Sequence, residues 1–292
     1  MSKYILIDIG GTSIKTAYYD GELSKVKEYP TNAKKGVAVV IDTVKQIIES
    51  YNDYDAIGIS TAGQVNSEEG YIIYANENMP GYTGTKWKQM LENEFKKPVY
   101  VENDVNAAAL GEGLEGSASG KNNYLCLTYG TGVGGAIVID SKVFHGASGS
   151  AGEFGAMLMH ASKHVGKDPY AGGYEKYGST TALVNKAISY NPDYNNGRII
   201  MEHLDDQNVE KILDDWCNEI ALGLTSLIHI FNPELVILGG GIMEQELVFN
   251  KVKEKVSGYI MPSFSCVELK QAKLGNKAGL YGALSLILQS QK

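Results

Sequence analysis

Arginine is almost absent from this chain of 292 residues, which carries it only at Arg198. The 26 lysine and arginine side chains are outnumbered by 34 aspartates and glutamates, which gives a formal net charge of -8 at pH 7. Proteins that bind DNA or RNA usually carry basic patches that contain arginine. The composition therefore argues against a nucleic-acid partner.

Cysteine is also scarce, and its three residues, Cys126, Cys217 and Cys266, are far apart and form no Cys-x-x-Cys pair. Such spacing is typical of reduced thiols rather than of disulfides. No apolar run reaches the roughly 18 residues of a membrane span. The first residues lead directly into an apolar strand without the cleavable segment of a signal peptide. We therefore expect a cytoplasmic protein that does not associate with a membrane.

One pattern occurs twice, at residues 5–20 and, 120 positions later, at residues 125–140. Each copy reads as an apolar strand, a turn of glycine and threonine, a second apolar strand and an aspartate, and Gly10 aligns with Gly130. Turns of small residues can point backbone N–H groups at an anion, because glycine permits close approach. Two such hairpins predict a nucleotide that is held between two related domains.

Strands alternate with helices along the chain, which predicts an α/β protein. The Gly/Ser-rich segment 116–121 is the expected linker. Strands are predicted at 3–9, 14–20, 24–29, 55–60, 98–101, in the hairpin 123–140 and at 235–238. Helices are predicted at about 35–51, 86–95, 104–116, 208–231 and 277–289, and a further one is expected after residues 239–241.

The two glycine turns supply the candidate phosphate-binding residues. Asp8 ends the first strand, where a carboxylate could reach the Mg²⁺ of a nucleotide directly or through water. The second turn has four glycines in six residues, which is costly in entropy for an ordinary turn. An ordinary β-turn remains the alternative for the first motif, and an exposed strand lysine for Lys15. The candidates are Asp8, Gly10, Gly11, Thr12, Lys15, Gly130, Thr131, Gly132 and Gly134.

A third glycine run, at residues 239–241, follows an apolar strand and precedes a predicted helix. Gly239 and Gly240 permit close contact with a flat base or ribose, and a helix start attracts anions. A Rossmann dinucleotide site would need Gly-x-Gly-x-x-Gly and a later acidic partner, which this run does not provide.

Asp104 is the candidate general base, because it falls in the first turn of a predicted helix, where the dipole favours its ionised form. Asn103 could hydrogen-bond a neighbouring hydroxyl, although Asn and Asp also serve as simple helix caps. Glu153 and Glu175 are candidate sugar ligands, since a carboxylate accepts two hydrogen bonds. Their alternative is solvated surface. His160 and His164 are four residues apart and would share one face of a helix. A metal site needs further ligands at suitable spacing, and none is present, so no histidine is assigned to a metal.

In this order the motifs resemble the ROK family of sugar kinases and repressors, within the actin- and hexokinase-like ATPase superfamily. The resemblance runs from Ile5 to about Leu288. Its markers are Asp-Ile-Gly-Gly-Thr, Glu-Asn-Asp-Val-Asn-Ala-Ala-Ala, Gly-Thr-Gly-Val-Gly-Gly, Gly-Glu-Phe-Gly and Asn-Pro-Glu-Leu-Val-Ile-Leu-Gly-Gly-Gly. It implies a two-domain actin-like (ribonuclease H-like) fold in which each domain is a mixed sheet flanked by helices. The expected small domain is 1–116 plus about 277–292, and the large domain is 117–276.

The resemblance also implies roles for individual residues. The two glycine turns would bind the phosphates of ATP with Mg²⁺, and Gly240 would lie near the adenosine. Asp104 would take the proton from a sugar hydroxymethyl group. The other sugar hydroxyls would be bound by Asn78, Asn103, Glu153 and Glu175. A homodimer is a further expectation from the family.

One departure from the family pattern concerns zinc. Typical ROK kinases carry a histidine and three cysteines where this chain, in the same register, has Ala156, Gly166, Asp168 and Gly173. No structural zinc site is therefore expected. In the family the histidine also touches the anomeric hydroxyl, so a methyl group at Ala156 would open space for a group on that oxygen.

The resulting expectation is a kinase for the 6-hydroxyl of a glucose unit, in a β-glucoside such as cellobiose. A glucokinase or N-acetylmannosamine kinase acting on a free hexose is the alternative, since Ala156 could simply accompany zinc loss. A non-catalytic sugar-sensing regulator is the alternative from another class. ROK repressors place a DNA-binding motif before the first hairpin, and only three residues precede the strand here.

Overall fold

The computed structural model describes residues 2–161 and 171–291. They form two compact units. The first unit comprises Met1–Gly120, Ser141–Ala151 and Leu274–Lys292, and the second comprises Lys121–Asp140 and Gly152–Lys273. Compared with the expected domain limits, both main boundaries shift by a few residues, and the segment 141–151, expected in the large domain, belongs to the first unit.

A single buried carboxylate binds both connecting segments near the shifted boundaries. Glu112 lies in helix α3 (Asp104–Glu115) and is 1% exposed. It accepts hydrogen bonds from the backbone N–H of Ser117, at 2.7 Å, and of Leu274, at 2.8 Å. Because both connecting segments are bound to α3, the residues around them pack with the first unit.

The first unit contains a five-stranded sheet of mixed direction, in the order β3-β2-β1-β4-β7. The hairpin of β1 and β2 is antiparallel, whereas β1, β4 and β7 run parallel. The strands are β1 (Tyr4–Ile9), β2 (Ser13–Tyr19), β3 (Leu23–Pro30), β4 (Ala56–Thr61) and β7 (Val99–Asn103). The other elements are helices α1 (Val37–Glu49), α2 (Trp87–Phe95), α3 and α9 (Ala278–Ser290), the hairpin β5 (Gln64–Asn66) and β6 (Tyr71–Tyr74), and the short strand β10 (Lys142–Val143).

Alternation along β1 divides its side chains between two cores, because successive residues point to opposite faces of a sheet. Ile5, Ile7 and Ile9 pack with residues of α1 and α2. Tyr4 and Leu6 pack on the other face with residues of α9. The same alternation directs Asp8 toward the α9 face.

The second unit contains four strands in the order β9-β8-β11-β12, with β8 and β9 antiparallel and β8, β11 and β12 parallel. The strands are β8 (Tyr124–Tyr129), β9 (Val133–Ile139), β11 (Leu235–Gly239) and β12 (Glu268–Gln271). The helices are α4 (Glu175–Gly178), α5 (Thr180–Tyr190), α6 (Gly197–Glu202), α7 (Gln207–Phe231) and α8 (Glu246–Tyr259). In the parts of the chain covered by the structure, no helix has the length and apolarity needed to cross a bilayer.

The sequence repeat corresponds to a repeat of topology, since each sheet begins with an antiparallel hairpin whose first strand pairs in parallel with a later strand. The two hairpins differ in register. Ile9 pairs with Ile14 in the first, whereas the equivalent Tyr129 pairs with Val133 in the second. The second turn is therefore one residue shorter.

Helices α3 and α9 approach each other closely enough to require glycine. A Cβ on Gly282 would lie 1.9 Å from the backbone oxygen of Ala107. We expect Gly282→Ala to lower the free energy of unfolding by about 2 kcal/mol or more, because backbone atoms must move apart. Thermal and urea denaturation measure this loss.

The matched control is Gly258→Ala in α8, where a Cβ would meet no atom within 4 Å. Alanine favours helices over glycine, so its melting temperature should be unchanged or slightly higher. Equal stability of the two variants would contradict the close packing of α3 on α9.

Candidate active site

Asp8 lies near the carboxyl end of β1, with its side chain against α9. Its Oδ1 accepts a hydrogen bond of 2.7 Å from the Ser60 hydroxyl. A Cβ on Gly279 would lie 2.6 Å from the same oxygen, so only glycine at that position of α9 leaves room for the carboxylate. Burial raises the pKa of Asp8, while the Ser60 hydrogen bond and the charge of Lys15 act in the opposite direction.

These surroundings fit a divalent cation. Lys15 pairs with Asp8 in the β1–β2 ladder, but burial outweighs its influence on the pKa of Asp8. Mg²⁺ in nucleotide sites is usually held by one or two carboxylates together with phosphate oxygens and water. Within residues 2–161 and 171–291, no group of three or more His, Cys, Asp or Glu side chains is arranged to hold a metal by itself. Asp8 therefore suits a metal that arrives with phosphates.

The first glycine turn is closed by its own backbone and by one threonine. The Gly10 N–H donates to the Ser13 oxygen at 2.9 Å. Thr31 binds two carbonyl groups of the turn, with its hydroxyl donating to Gly10 O at 2.6 Å and its N–H donating to Thr12 O at 3.0 Å. Gly11 and Thr12 are exposed at the tip. Their N–H groups are the candidates in this turn for binding a phosphate.

The second turn uses a threonine in the same way. The Thr180 N–H donates to Gly130 O at 2.9 Å, and its hydroxyl donates to Tyr129 O at 3.2 Å. Gly130 and Thr131 are exposed. Neither Thr31 nor Thr180 could be predicted from the sequence, since a lone threonine outside a glycine motif carries no signal.

Gly239 and Gly240 lie beside this second turn, because β11 runs parallel to β8 and pairs Gly239 with Thr128. Gly240 has a φ of +103°, and a Cβ there would lie 2.1 Å from Tyr129 O. Gly134 pairs with the same Thr128 from β9. The structure thus assembles the candidate adenosine and phosphate residues of the second unit at one end of its sheet. The helix expected after residues 239–241 is found as a short 3-10 helix at Gly241–Glu244, followed by α8.

Asp104 begins α3 directly after β7, and Asn103 is the N-cap. The Asn103 side-chain oxygen accepts from the N–H groups of Val105 and Asn106, at 2.9 and 3.1 Å. Its amide donates to Gly63 O at 2.8 Å and to Asp104 Oδ1 at 2.9 Å. An asparagine side chain offers two donors and two acceptor sites, so protein groups use all four. A sugar contact at Asn103 would have to share or displace one of them.

Two causes raise the pKa of Asp104 to about 6. Burial is the larger, and the negative charge of Asp8 is the second. Hydrogen bonds from Val105 and Asn103 oppose the shift. Asp104 Oδ1 accepts both of these hydrogen bonds. The side chain is only half-buried. A partly accessible carboxyl with a pKa just below neutrality is suited to accept a proton from a hydroxyl.

The remaining candidate sugar ligands are distributed over both units. Asn78 is exposed in a loop of the first unit, where its N–H donates to the Asn76 side chain at 3.1 Å. Glu153 is exposed in the second unit. Glu175, at the start of α4, accepts a hydrogen bond of 3.1 Å from the Val133 N–H. Its carboxylate therefore contacts the end of the second glycine turn, where a backbone N–H donates to an anionic oxygen.

Ala156 is exposed and ends a short 3-10 helix at Phe154–Ala156. Gly173 bridges to Leu158. Gly166 and Asp168 stand at two of the positions where typical family members carry zinc ligands. Both lie outside the described residues. The absence of zinc stays a prediction.

Two α/β units of matching topology, each opened by a glycine-lined hairpin, define an actin-like ATPase fold, as expected from the sequence. The family model named "ROK family" matches residues 4–290. The chain belongs to the ROK family, which confirms the resemblance drawn from the motifs.

The relatives of this chain include sugar kinases, a sugar-bound protein and a xylose repressor of Bacillus spizizenii. A β-glucoside kinase of Klebsiella pneumoniae is 28% identical, covering 97% of this chain and 95% of that protein. The structure of a ROK glucokinase from Streptomyces griseus with glucose and AMPPNP is 28% identical, with a TM-score of 0.81 and full coverage of both chains. The structure of a ROK protein from Streptococcus pneumoniae TIGR4 with sucrose is 27% identical, with a TM-score of 0.86 and 99% coverage of each.

The raised pKa of Asp104 can be measured directly. In protein labelled with ¹³C-aspartate and free of nucleotide, we expect one carboxyl to titrate near pH 6, since burial and the Asp8 charge both disfavour its ionised form. Asp104→Asn should remove this titration. Asp8→Asn should move it to lower pH, because a neutral amide no longer repels the ionised carboxylate. A titration unchanged by Asp8→Asn would contradict the electrostatic coupling of the two residues.

Proposed function

We propose that this chain is an ATP-dependent sugar kinase in which Asp104 accepts the proton of a sugar hydroxyl. The observation that carries the proposal is the position of Asp104 at the start of α3, half-buried and with a pKa of about 6. At neutral pH the carboxylate is mostly ionised, yet it is basic enough to take a proton as the hydroxyl oxygen attacks phosphorus.

MgATP would supply the transferable γ-phosphoryl group, and the metal would offset charge on the phosphates. In the first unit Asp8 would hold Mg²⁺, and Lys15 with the turn of Gly10, Gly11 and Thr12 would meet phosphate oxygens. In the second unit the phosphates would be met by Gly130, Thr131, Gly132 and Gly134, and the adenosine by Gly239 and Gly240. Since Arg198 is the only arginine, backbone N–H groups and lysine carry most of this role.

For the acceptor we propose the 6-hydroxyl of a glucose unit in a β-glucoside such as cellobiose. Ala156 supports this choice, because it presents an exposed methyl group where typical family members have a histidine at the anomeric oxygen. Relatives that act on a β-glucoside or hold sucrose are consistent with it. Asn78, Asn103, Glu153 and Glu175 are the proposed ligands of the other hydroxyls. The competing acceptor is a free hexose, such as glucose or N-acetylmannosamine.

Replacing the proposed base tests the enzyme class. We expect Asp104→Asn to lower kcat by about 100-fold or more, because general bases contribute roughly that much. Binding of MgATP should be retained. A coupled assay for ADP measures turnover, and calorimetry measures nucleotide binding.

The control is Asp205→Asn, an exposed aspartate outside the site, which should leave kcat unchanged. The melting temperature of Asp104→Asn should match or exceed that of the wild type, since a neutral amide relieves the burial of charge. Full turnover in Asp104→Asn would refute the assignment of the base.

The acceptor is tested by restoring an imidazole. We expect wild-type kcat/KM to be higher for cellobiose than for glucose or N-acetylmannosamine. Ala156→His should lower kcat/KM for cellobiose at least tenfold by occupying the space around the anomeric oxygen, with a smaller effect on glucose. Ala156→Ser is the small-residue control and should keep the preference. A wild-type preference for free hexoses by a wide margin would refute the β-glucoside proposal while leaving the kinase intact.

A further inference from the structure

Glu102 is a buried carboxylate that the proposed reaction does not use. It lies in β7, immediately before Asn103 and Asp104, and is 1% exposed. Its Oε1 accepts a hydrogen bond from the Asn103 N–H at 2.9 Å and another from the Asn106 side-chain amide at 3.1 Å. Oε1 of Glu102 therefore binds both the backbone of Asn103 and the side chain of Asn106 at the junction between β7 and α3.

The other oxygen of Glu102 contacts a histidine that is distant in the sequence. His145 Nε2 lies 2.7 Å from Glu102 Oε2 and 2.9 Å from the Ser67 hydroxyl. The hydrogen bond to Glu102 raises the pKa of His145, and burial acts in the opposite direction. A buried carboxylate without a compensating charge is strongly disfavoured. When protonated, His145 supplies that charge.

His145 belongs to a short loop, residues 145–151, that we call the histidine loop. The Ala151 N–H donates to His145 O at 3.1 Å and closes it. Gly149 has a φ of +81°, and a Cβ there would lie 2.9 Å from the Ile73 side chain of β6. The Ser150 hydroxyl donates to Gln64 Oε1 of β5 at 3.2 Å. The loop is therefore a packed part of the first unit, and its position relative to Glu102 is defined.

The histidine loop packs on β5 and β6, which explains how His145, forty positions away in the sequence, can stabilise the start of α3. Ser67, next along the chain after β5, contacts the same imidazole nitrogen as Glu102. Three segments thus meet at His145, whose imidazole contacts Glu102 and Ser67. Hydrogen bonds connect His145 to the start of α3 through Glu102 and the backbone that it holds.

We propose that Glu102 and His145 are a positioning pair for the general base, in which the imidazolium compensates the buried carboxylate that holds the first turn of α3 and, with it, Asp104. The inference rests on the proposed function, since it assigns Asp104 as the base. It adds two positioning residues, one of them outside every motif identified in the sequence.

The pair is tested by removing the positive charge and then the negative one. We expect His145→Gln to lower kcat about tenfold, because an uncompensated Glu102 shifts the turn that carries Asp104. KM for ATP should change less than twofold. The double variant Glu102→Gln/His145→Gln should recover most of the lost kcat, since two neutral amides can hydrogen-bond without a buried charge. His203→Gln in the second unit is the matched control and should leave kcat unchanged.

Hydrogen exchange provides a readout that does not depend on turnover. The Asn103 amide, which donates to Glu102, should exchange faster in His145→Gln and return toward the wild-type rate in the double variant. Unchanged kcat and unchanged exchange in His145→Gln would overturn the proposal, as would a double variant no better than the single one. A lower melting temperature with unchanged kcat would also overturn it, because the pair would then be merely structural. If the wild type shows no kinase turnover while exchange responds as expected, the proposed function fails and the link between His145 and Glu102 stands.

Discussion

The carboxylates of Asp8 and Asp104 are brought to one edge of the first sheet, and much of the surrounding structure holds them there. The parallel register of β1, β4 and β7 aligns Asp8 with Ser60 and Ser60 with Glu102. Burial raises the pKa of both groups, and the negative charge of Asp8 raises the pKa of Asp104 further. In the proposed phosphoryl transfer, Asp104 is the base that ionises near neutrality and Asp8 is the metal ligand.

Glycine makes this arrangement sterically feasible at positions that are not themselves catalytic. Gly279 leaves space for Asp8, and Gly282 allows α9 to lie against α3. In the second unit Gly240 allows β11 to end directly beside Tyr129. Each unit also uses one threonine, Thr31 or Thr180, to bind the carbonyl groups of its glycine turn. The repeat therefore extends beyond the hairpins to the way in which their turns are held.

Much of this was accessible from the sequence. The hairpin repeat, the α/β class and the family followed from local patterns and from five ordered motifs, because strand alternation and glycine turns are local properties. The helix expected at 208–231 is found as Gln207–Phe231. The hairpin of β5 and β6 was missed, because these strands have only three and four residues and the polar segment 75–86 follows them. The membership of 141–151 in the first unit was also missed, since it depends on pairings such as Glu102 with His145, 43 residues apart.

The sequence by itself determined which residues are candidates for the proposed reaction: a carboxylate at a helix start, glycines at two turns and an alanine at position 156. Tertiary structure alone decided their electrostatic state and their partners. The pKa of Asp104 depends on Asp8, nearly one hundred residues away, and on burial, and neither can be read from a local pattern. The hydrogen-bond partners of Asn103 were likewise decided by tertiary structure, since its side-chain amide donates to Gly63 O. Long-range packing sets these properties because desolvation and charge act through space rather than along the chain.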